Sequence, residues 1–272
     1  MGDTLFRMRW NFMPAKLSQT SMRLFIGTLA CVAGLAVYVW FGTTTQSTMQ
    51  MLGGARHVTI QVPGLKASLS LVCFPADKFK MQIVDNPTPA RHLYIADMAL
   101  SNKAVAGCNG GYFSLKDFSP FGLQLAQGVQ LGTFCSGGPG AALFGVKDGT
   151  PFIAPEKEFQ LSSGITDVVQ CSPLLVENGN ILQTFGNKTN ARTFVMTDGE
   201  GQWAIGVANN LGLDDLAALL AKPGLVDGFH VRRAMNLDGG PSTGLWWQDS
   251  NGQPHSQKER WSVRNMVLVI PK

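Results

Sequence analysis

Beyond residue 56 the sequence is cut into apolar stretches that are too short for most helices and that end on turn residues. HVTIQV at 57–62, SLSLVCF at 68–74 and MQIVD at 81–85 alternate or run apolar over five to seven residues, with Pro-Gly and Pro-Ala-Asp between them. Such runs bury one or both faces of a strand and leave no room for the three turns of an ordinary helix. The same signature recurs in KAVAGCN, GLQLAQG, AALFGV, the stretch around VVQCSPLLVENG, RTFVMT, QWAIGVA, AMNLD, TGLWW and RNMVLVI. With 31 Gly and 14 Pro among 272 residues, a helical bundle is disfavoured. Only residues 213–222, LDDLAALLAK, read convincingly as a helix. Asp214 and Asp215 suit its positive end, Leu216, Leu219 and Leu220 share a face, and Pro223-Gly224 stops it. A shorter helix fits residues 93–100. The expected class is α+β, a single domain of mixed, mostly antiparallel sheets with few helices, preceded by an N-terminal transmembrane helix.

That transmembrane helix rests on residues 24–42, LFIGTLACVAGLAVYVWFG, 19 residues without a charge. At about 1.5 Å per residue they nearly span a hydrocarbon core of about 30 Å. Arg7, Arg9, Lys16 and Arg23 precede the run and no charge follows it until Arg56. This bias puts the amino terminus in the cytoplasm and the rest outside, with Tyr38 and Trp40 at the outer interface. The expected organisation is a basic tail at 1–23, an uncleaved anchor at 24–42, a polar tether at 43–56 and a folded domain at 57–272. The place is the plasma (inner) membrane, single-pass, with the domain periplasmic or extracellular. Because the basic tail holds most of the +4 net charge, the remainder lacks a nucleic-acid footprint.

Cys73, Cys108, Cys135 and Cys171 lie after the anchor. In an oxidising compartment four cysteines suggest disulfides, with three complete pairings open, or free buried thiols. None stands in a C-x-x-C pair or beside a histidine, so no metal is expected, and nothing calls for a cofactor.

The strongest chemical signal is AMNLDGGPSTGLWW. A strand delivers Asp238 to a Gly239-Gly240 turn whose bare backbone can approach an anion, and Ser242 and Thr243 add hydroxyls. A carboxylate there can serve as acid, base or nucleophile, although a bare Asp-Gly-Gly is more often a plain turn. In GCNGGYF, Asn109-Gly110-Gly111 again follows a strand. Asn109 can both donate and accept, as a sugar hydroxyl demands, and Tyr112 or Phe113 can stack on a sugar face; the bland reading is an Asn-Gly hairpin. Arg192, opening a strand after Asn190-Ala191, can clamp a phosphate, though a solvated edge arginine is commoner.

Taken in order, these segments resemble the phosphodiester glycosidase family, and a bacterial-type member of it. The matching motifs are NGGYF at 109–113, PFGL at 120–123, CSPLLVENG at 171–179, Arg192-Thr193, NLDGGPST at 236–243 and VRNMVLVI at 263–270. Departures are Ser172 where the family more often has Gly before Pro173, Phe194-Val195-Met196 in place of a smaller run, and Pro241 in place of a Gly. The resemblance implies hydrolysis of a sugar-1-phosphodiester. Asp238, Arg192 and Asn109 are then the expected catalytic group, with Gly110, Gly111, Tyr112, Asn236, Gly239, Gly240, Ser242 and Thr243 binding substrate. Arg192 and the Gly239-Gly240 amides would hold phosphate. Asp198, Asp117 and Glu177 are available as a second acid, each with a blander turn or surface role. The implied partners are a sugar-phosphate or glycan substrate and the membrane. Two other classes fit the chain: a tethered noncatalytic carbohydrate binder with Trp246, Trp247 and Trp261 as platforms, and a structural component of an envelope-polysaccharide assembly.

Overall fold

The computed structural model describes residues 43–87, 93–136, 140–182 and 184–272. The basic tail and the expected anchor at 24–42 lie outside the described residues. Among the described residues no helix is long and apolar enough to cross a membrane. Residues 43–272 form one compact unit.

Three antiparallel sheets make up that unit. The largest has eight strands in the order Thr45–Gln50 (β1), Arg56–Val62 (β2), Ala67–Pro75 (β3), Gln202–Leu211 (β14), Asn190–Thr197 (β13), Arg233–Asn236 (β15), Leu174–Glu177 (β11) and Asn180–Ile181 (β12). A five-stranded sheet runs Val129–Gln130 (β7), Gln124–Ala126 (β6), Ile165–Cys171 (β10), Ala142–Lys147 (β8) and Thr150–Pro155 (β9). The other runs Pro254–Gln257 (β17), Leu245–Gln248 (β16), Ala106–Asn109 (β5), Asn265–Pro271 (β18) and Phe79–Asp85 (β4). Every paired strand named here runs antiparallel. No parallel pair occurs among the described residues, so the sheets expected to be mixed are purely antiparallel. Hairpin neighbours such as β1–β2, β2–β3, β8–β9 and β13–β14 are joined by short turns, which allow only antiparallel pairing.

One apolar core is shared by the three sheets. Phe74, Val195, Ile205 and Met235 enter it from the large sheet, Phe144 and Val169 from the second, and Ile83, Cys108, Leu245 and Val267 from the third. Their alternation along each strand is what the sequence pattern encodes. Phe144 and Phe74 are almost wholly buried, and truncating either to Ala costs about 3–5 kcal/mol.

Two α-helices flank the sheets. Ile95–Ser101 (α1) packs Ile95 and Ala99 against Trp246 and Leu268. At its first turn Tyr94 N–H donates to Asp97 Oδ2 at 2.9 Å, and Ile95 N–H donates to Glu259 Oε1 at 2.6 Å. Leu213–Leu220 (α2) starts where the sequence predicts and stops two residues short of the expected end, lying against β11 and β14.

The tether expected at 43–56 is instead part of the sheet. β1 pairs with β2 from Thr45↔Gln61 to Gln50↔Arg56. As an edge strand it leaves nearly all its side chains in solvent, so it has no apolar face and no periodicity to betray it.

Candidate active site

The Asp-Gly-Gly turn sits at one end of the large sheet, where β15 stops at Asn236. Leu237 N–H donates to Thr193 O at 2.8 Å and Asp238 N–H to Gly110 O at 3.0 Å. Three sequence motifs are thereby tied together. Asn109 completes the junction: its Nδ2 donates to Asp238 O at 2.7 Å, and its Oδ1 accepts from Thr193 Oγ1 at 2.7 Å and Gly244 N–H at 3.1 Å. Buried and fully bonded within the chain, Asn109 acts as a brace under the turn.

Asp238 is partly exposed, with its Oδ1 accepting from Gly239 N–H at 2.8 Å. Burial raises its pKa, against the bonds from Ser242 and Gly239 that favour the carboxylate. Gly240 has φ +62, open to glycine at little cost, and begins a 3-10 turn over Gly240–Ser242. Pro241 stands in the first turn of that element, where its fixed φ suits the chain and its missing N–H costs nothing. A Cβ on Gly239 would lie 2.8 Å from Ala191 O, so the turn rests directly on the β13 backbone.

Tyr112 and Asn236 flank Asp238 on the inner side. Tyr112 Oη donates to Ser172 O at 2.7 Å, and Asn236 Nδ2 lies 2.8 Å from Ser172 O, 2.7 Å from Leu237 O and 3.2 Å from Tyr112 Oη. Burial, then Cys171 and the charge of Asp238, raise the Tyr112 pKa. Cys171 is pushed up to about 12, chiefly by burial and further by Asp238. Both groups stay protonated at neutral pH and present a neutral wall to the carboxylate.

Gly110 and Gly111 approach β18 closely: Gly110 N–H donates to Asn265 O at 2.9 Å and Gly111 N–H to Asn265 Oδ1 at 2.6 Å. Behind them Asn265 Nδ2 donates to Gln124 Oε1, Gln124 Nε2 to Asp85 Oδ1, and Arg264 grips both Asp85 oxygens at 2.8 and 3.1 Å. These glycine amides are therefore taken up by the fold.

Arg192 is half-buried. Its Nε donates to Leu211 O at 3.1 Å and its Nη2 to Lys188 O at 2.6 Å. Burial lowers its pKa, against the favourable effect of the nearby Tyr112 phenol. No carboxylate pairs with it among the described residues.

Beside the turn opens a cleft of about 440 Å³ lined by Asn190, Asn209, Gly240, Thr243, Lys258 and Arg260, with Ala191, Pro241 and Gln257. Asp238 and Arg192 are not among the residues that line it. The lining carries two cations and several amides and no carboxylate. Thr243 Oγ1 and Asn236 Oδ1 are buried without a hydrogen-bond partner among the described residues. Thr243 Oγ1 could be satisfied by a ligand oxygen or hydroxyl, and Asn236 Oδ1, an acceptor, by a hydroxyl.

The acids offered as seconds lie elsewhere. Asp198 Oδ1 accepts from Glu200 and Gln202 N–H in a turn, Asp117 Oδ1 accepts from Ser119 in an exposed loop, and Glu177 pairs with Arg233 at 2.7 Å. The carboxylate that does lie near the cleft is Glu259, between the lining residues Lys258 and Arg260. It is buried, burial raises its pKa, and it faces a small cavity of about 140 Å³ with Tyr94 and Trp246. Nothing in QKERW marks Glu259 as inward-facing. Trp246 and Trp247 are core residues and Trp261 is exposed. Among the described residues no cluster of His, Cys, Asp and Glu could hold a metal ion.

Fold and site together define an antiparallel α+β protein presenting a carboxylate on a glycine turn beside a cationic cleft. The chain belongs to the phosphodiester glycosidase family, whose model matches residues 102–270. It is similar in structure to the catalytic domain of zebrafish N-acetylglucosamine-1-phosphodiester alpha-N-acetylglucosaminidase, auto-inhibited by its pro-peptide. The TM-score is 0.56 at 17% identity, over 85% of this chain and 83% of that one. A Synechocystis protein of unassigned function matches with TM-score 0.50 and 12% identity, over 84% of this chain and 61% of that one. Comparison with curated protein sequences returned no match.

Proposed function

We propose that this chain hydrolyses a glycosyl phosphodiester, breaking the bond from the anomeric carbon to the phosphate oxygen. The observation that carries this reading is the placement of Asp238. Its carboxylate is held by Gly239 N–H at 2.8 Å, directly before a turn that walls a cleft bearing Lys258 and Arg260. The cleft cations offset charge that develops on the departing phosphate, and Arg192, which has no carboxylate partner among the described residues, adds a third positive group. Asp238 serves the anomeric carbon, as nucleophile or as base toward water. A phosphate leaving group needs little protonation, so one carboxylate is enough. Thr243 Oγ1 can donate to a sugar or phosphate oxygen, Asn236 Oδ1 can accept from a sugar hydroxyl, and Asn109 positions the Asp238 main chain from beneath. The zebrafish protein's name specifies a sugar-1-phosphodiester, in keeping with this substrate class. We place the domain outside the plasma membrane on the 24–42 anchor, supported by the uncharged run and the basic residues before it.

The test is turnover of a panel of chromogenic sugar-1-phosphodiesters by the full chain, Asp238→Asn and Arg192→Ala. Hydrolysis by the native chain and its loss in Asp238→Asn are expected. A folded protein that binds glycans but is inert across the panel refutes the enzyme reading in favour of a tethered binder.

A further inference from the structure

We infer that Glu259 is a positioning residue for the cleft: its buried carboxylate fixes the segment that carries Lys258 and Arg260, and so sets where the two cations meet a substrate phosphate. This role deepens the hydrolase reading above and rests on it for the identity of the ligand.

Exposure alternates along the segment. Lys258 and Arg260 are exposed and line the cleft, while Glu259 between them is 5% exposed. A carboxylate taken out of water is costly unless strong bonds receive it. Among the described residues Glu259 forms no ion pair, with either neighbour or with any other cation. Its Oε1 accepts instead from Ile95 N–H at 2.6 Å, across 164 residues of sequence, a short bond of the charge-assisted kind. The other oxygen packs on Gly244, where a Cβ would lie 2.8 Å from Glu259 Oε2. Gly244 N–H donates in turn to Asn109 Oδ1, in the brace under Asp238. Glu259 therefore joins the cation segment to the first residue of α1 and to the backbone that follows the Gly239-Gly240 turn.

The cations depend on that joint. Lys258 Nζ lies 3.8 Å from the centroid of the Tyr94 ring, so Lys258 and Glu259 hold the consecutive residues Tyr94 and Ile95. An exposed ammonium over a ring is a weak hold by itself. Arg260 N–H donates to Pro241 O at 2.8 Å on the cleft wall, which restrains its main chain only. With Glu259 shortened, the main chain between Gln257 and Arg260 is free to shift, and a displacement of about 1 Å is enough to spoil a positioned contact. Asp238 is held by separate bonds, to Gly110 O and from Asn109 Nδ2, so its chemistry does not follow the segment. Further on, Asn86 Nδ2 donates to Val263 O at 3.0 Å, which keeps the far end of the segment in place when Glu259 is changed.

The experiment compares the full native chain with Glu259→Ala and Glu259→Gln by two readouts. One is steady-state kinetics on the sugar-1-phosphodiester turned over in the panel; the other is calorimetric titration with inorganic phosphate, which needs no turnover. Glu259→Ala is expected to raise KM and the phosphate Kd about tenfold and to leave kcat within about twofold of native, the pattern of lost ground-state binding. A merely misfolded fraction would lower kcat and leave KM alone. Glu259→Gln, whose Oε1 can accept the same Ile95 N–H, is expected to restore KM and Kd to within about threefold of native. Loss of kcat in Glu259→Gln would make Glu259 a second acid in the chemistry and overturn the positioning role. Unchanged KM and Kd in Glu259→Ala would overturn it as well. A native chain that turns over nothing in the panel refutes the hydrolase reading alone, with the phosphate titration still deciding the role of Glu259. A native chain that binds no phosphate overturns the positioning role whichever way turnover falls.

Discussion

Asn109 Nδ2 donates to the main-chain oxygen of Asp238 at 2.7 Å, across 129 residues of sequence. The same side chain accepts from Thr193 and Gly244, so Asn109→Ala leaves three buried groups unpaired. Each unmade bond of this kind costs about 1–3 kcal/mol, and the variant is expected to lose about 3 kcal/mol or more. Urea denaturation checks it through a lowered midpoint at unchanged slope. A midpoint equal to that of the native chain would refute the bracing role.

Asp238→Asn is expected to abolish turnover while making the domain more stable near neutral pH. Burial holds the folded pKa of Asp238 above the ordinary carboxylate value of 3.8. The folded state therefore binds its proton more tightly than the unfolded chain, and stability falls as pH rises from 3.8 through the folded pKa. Above that window the ionised group is a standing cost, which the neutral amide removes. Melting temperatures of the two proteins should diverge as pH rises through this window and stay apart above it; a variant less stable than the native chain at neutral pH contradicts this account.

The parts of this architecture that were legible in the sequence are those where a local pattern has a local cause. β2, β3 and β4 follow from alternating runs closed by Pro and Gly, and α2 from its acids, its leucine face and Pro223. β1 was missed because an edge strand in solvent needs no apolar face. At the site, Asp238 and the Gly239-Gly240 turn were visible because the backbone there needs small residues. That Asn109, Gly110 and Gly111 are occupied by Thr193, Gly244 and Asn265 depends on pairings between distant strands, which no local window contains. Glu259, Lys258 and Arg260 escaped for the same reason: a charged triplet reads as surface until the fold turns its middle member inward. Of the two states open for the cysteines the structure has the free thiols; the compartment argument concerns where disulfides can form and says nothing of whether two thiols meet.

Gly110→Ala tests the approach of the NGG segment to β18. A Cβ at that position would lie 2.0 Å from Asn265 Oδ1 and 3.3 Å from Asn265 O. The amide cannot retreat without breaking its bonds to Gly111 and Gln124. The variant is expected to be destabilised by about 3 kcal/mol or more, the range of an overpacked core that also loses buried hydrogen bonds. Thermal melting with native-like cooperativity and an unshifted midpoint would show that the contact is looser than described.

His57 gives the domain an acid limit. Its ring stacks on Trp247 with centroids 3.9 Å apart, and its Nε2 lies 2.7 Å from Ser70 Oγ. Burial, and then the charge of His255, lower its pKa from 6.5 to about 4. In this range the unfolded chain binds the proton and the folded one does not. The stability contributed by His57 is full above 6.5 and is lost as pH falls toward 4. His57→Phe keeps the stack and removes the titration. Its melting temperature should therefore approach that of the native chain as pH falls from 7 to about 5; a constant difference would rule out His57 as the acid-sensitive group.

The thiols give a site-by-site reading of the core. Cys73, Cys108, Cys135 and Cys171 are all free. Burial pushes Cys73 and Cys171 up to about 12 and raises Cys108 as well. Reactivity follows the accessible thiolate, and Cys135 is the exposed member of the four. Brief treatment of the native protein with iodoacetamide should label Cys135 and spare the other three, which become reactive only after denaturation. Peptide mapping under non-reducing conditions checks both parts. A crosslink between any two of these four cysteines in the native protein would contradict the packing of the core, where the Cys108 thiol stands among apolar side chains and that of Cys171 beside Tyr112.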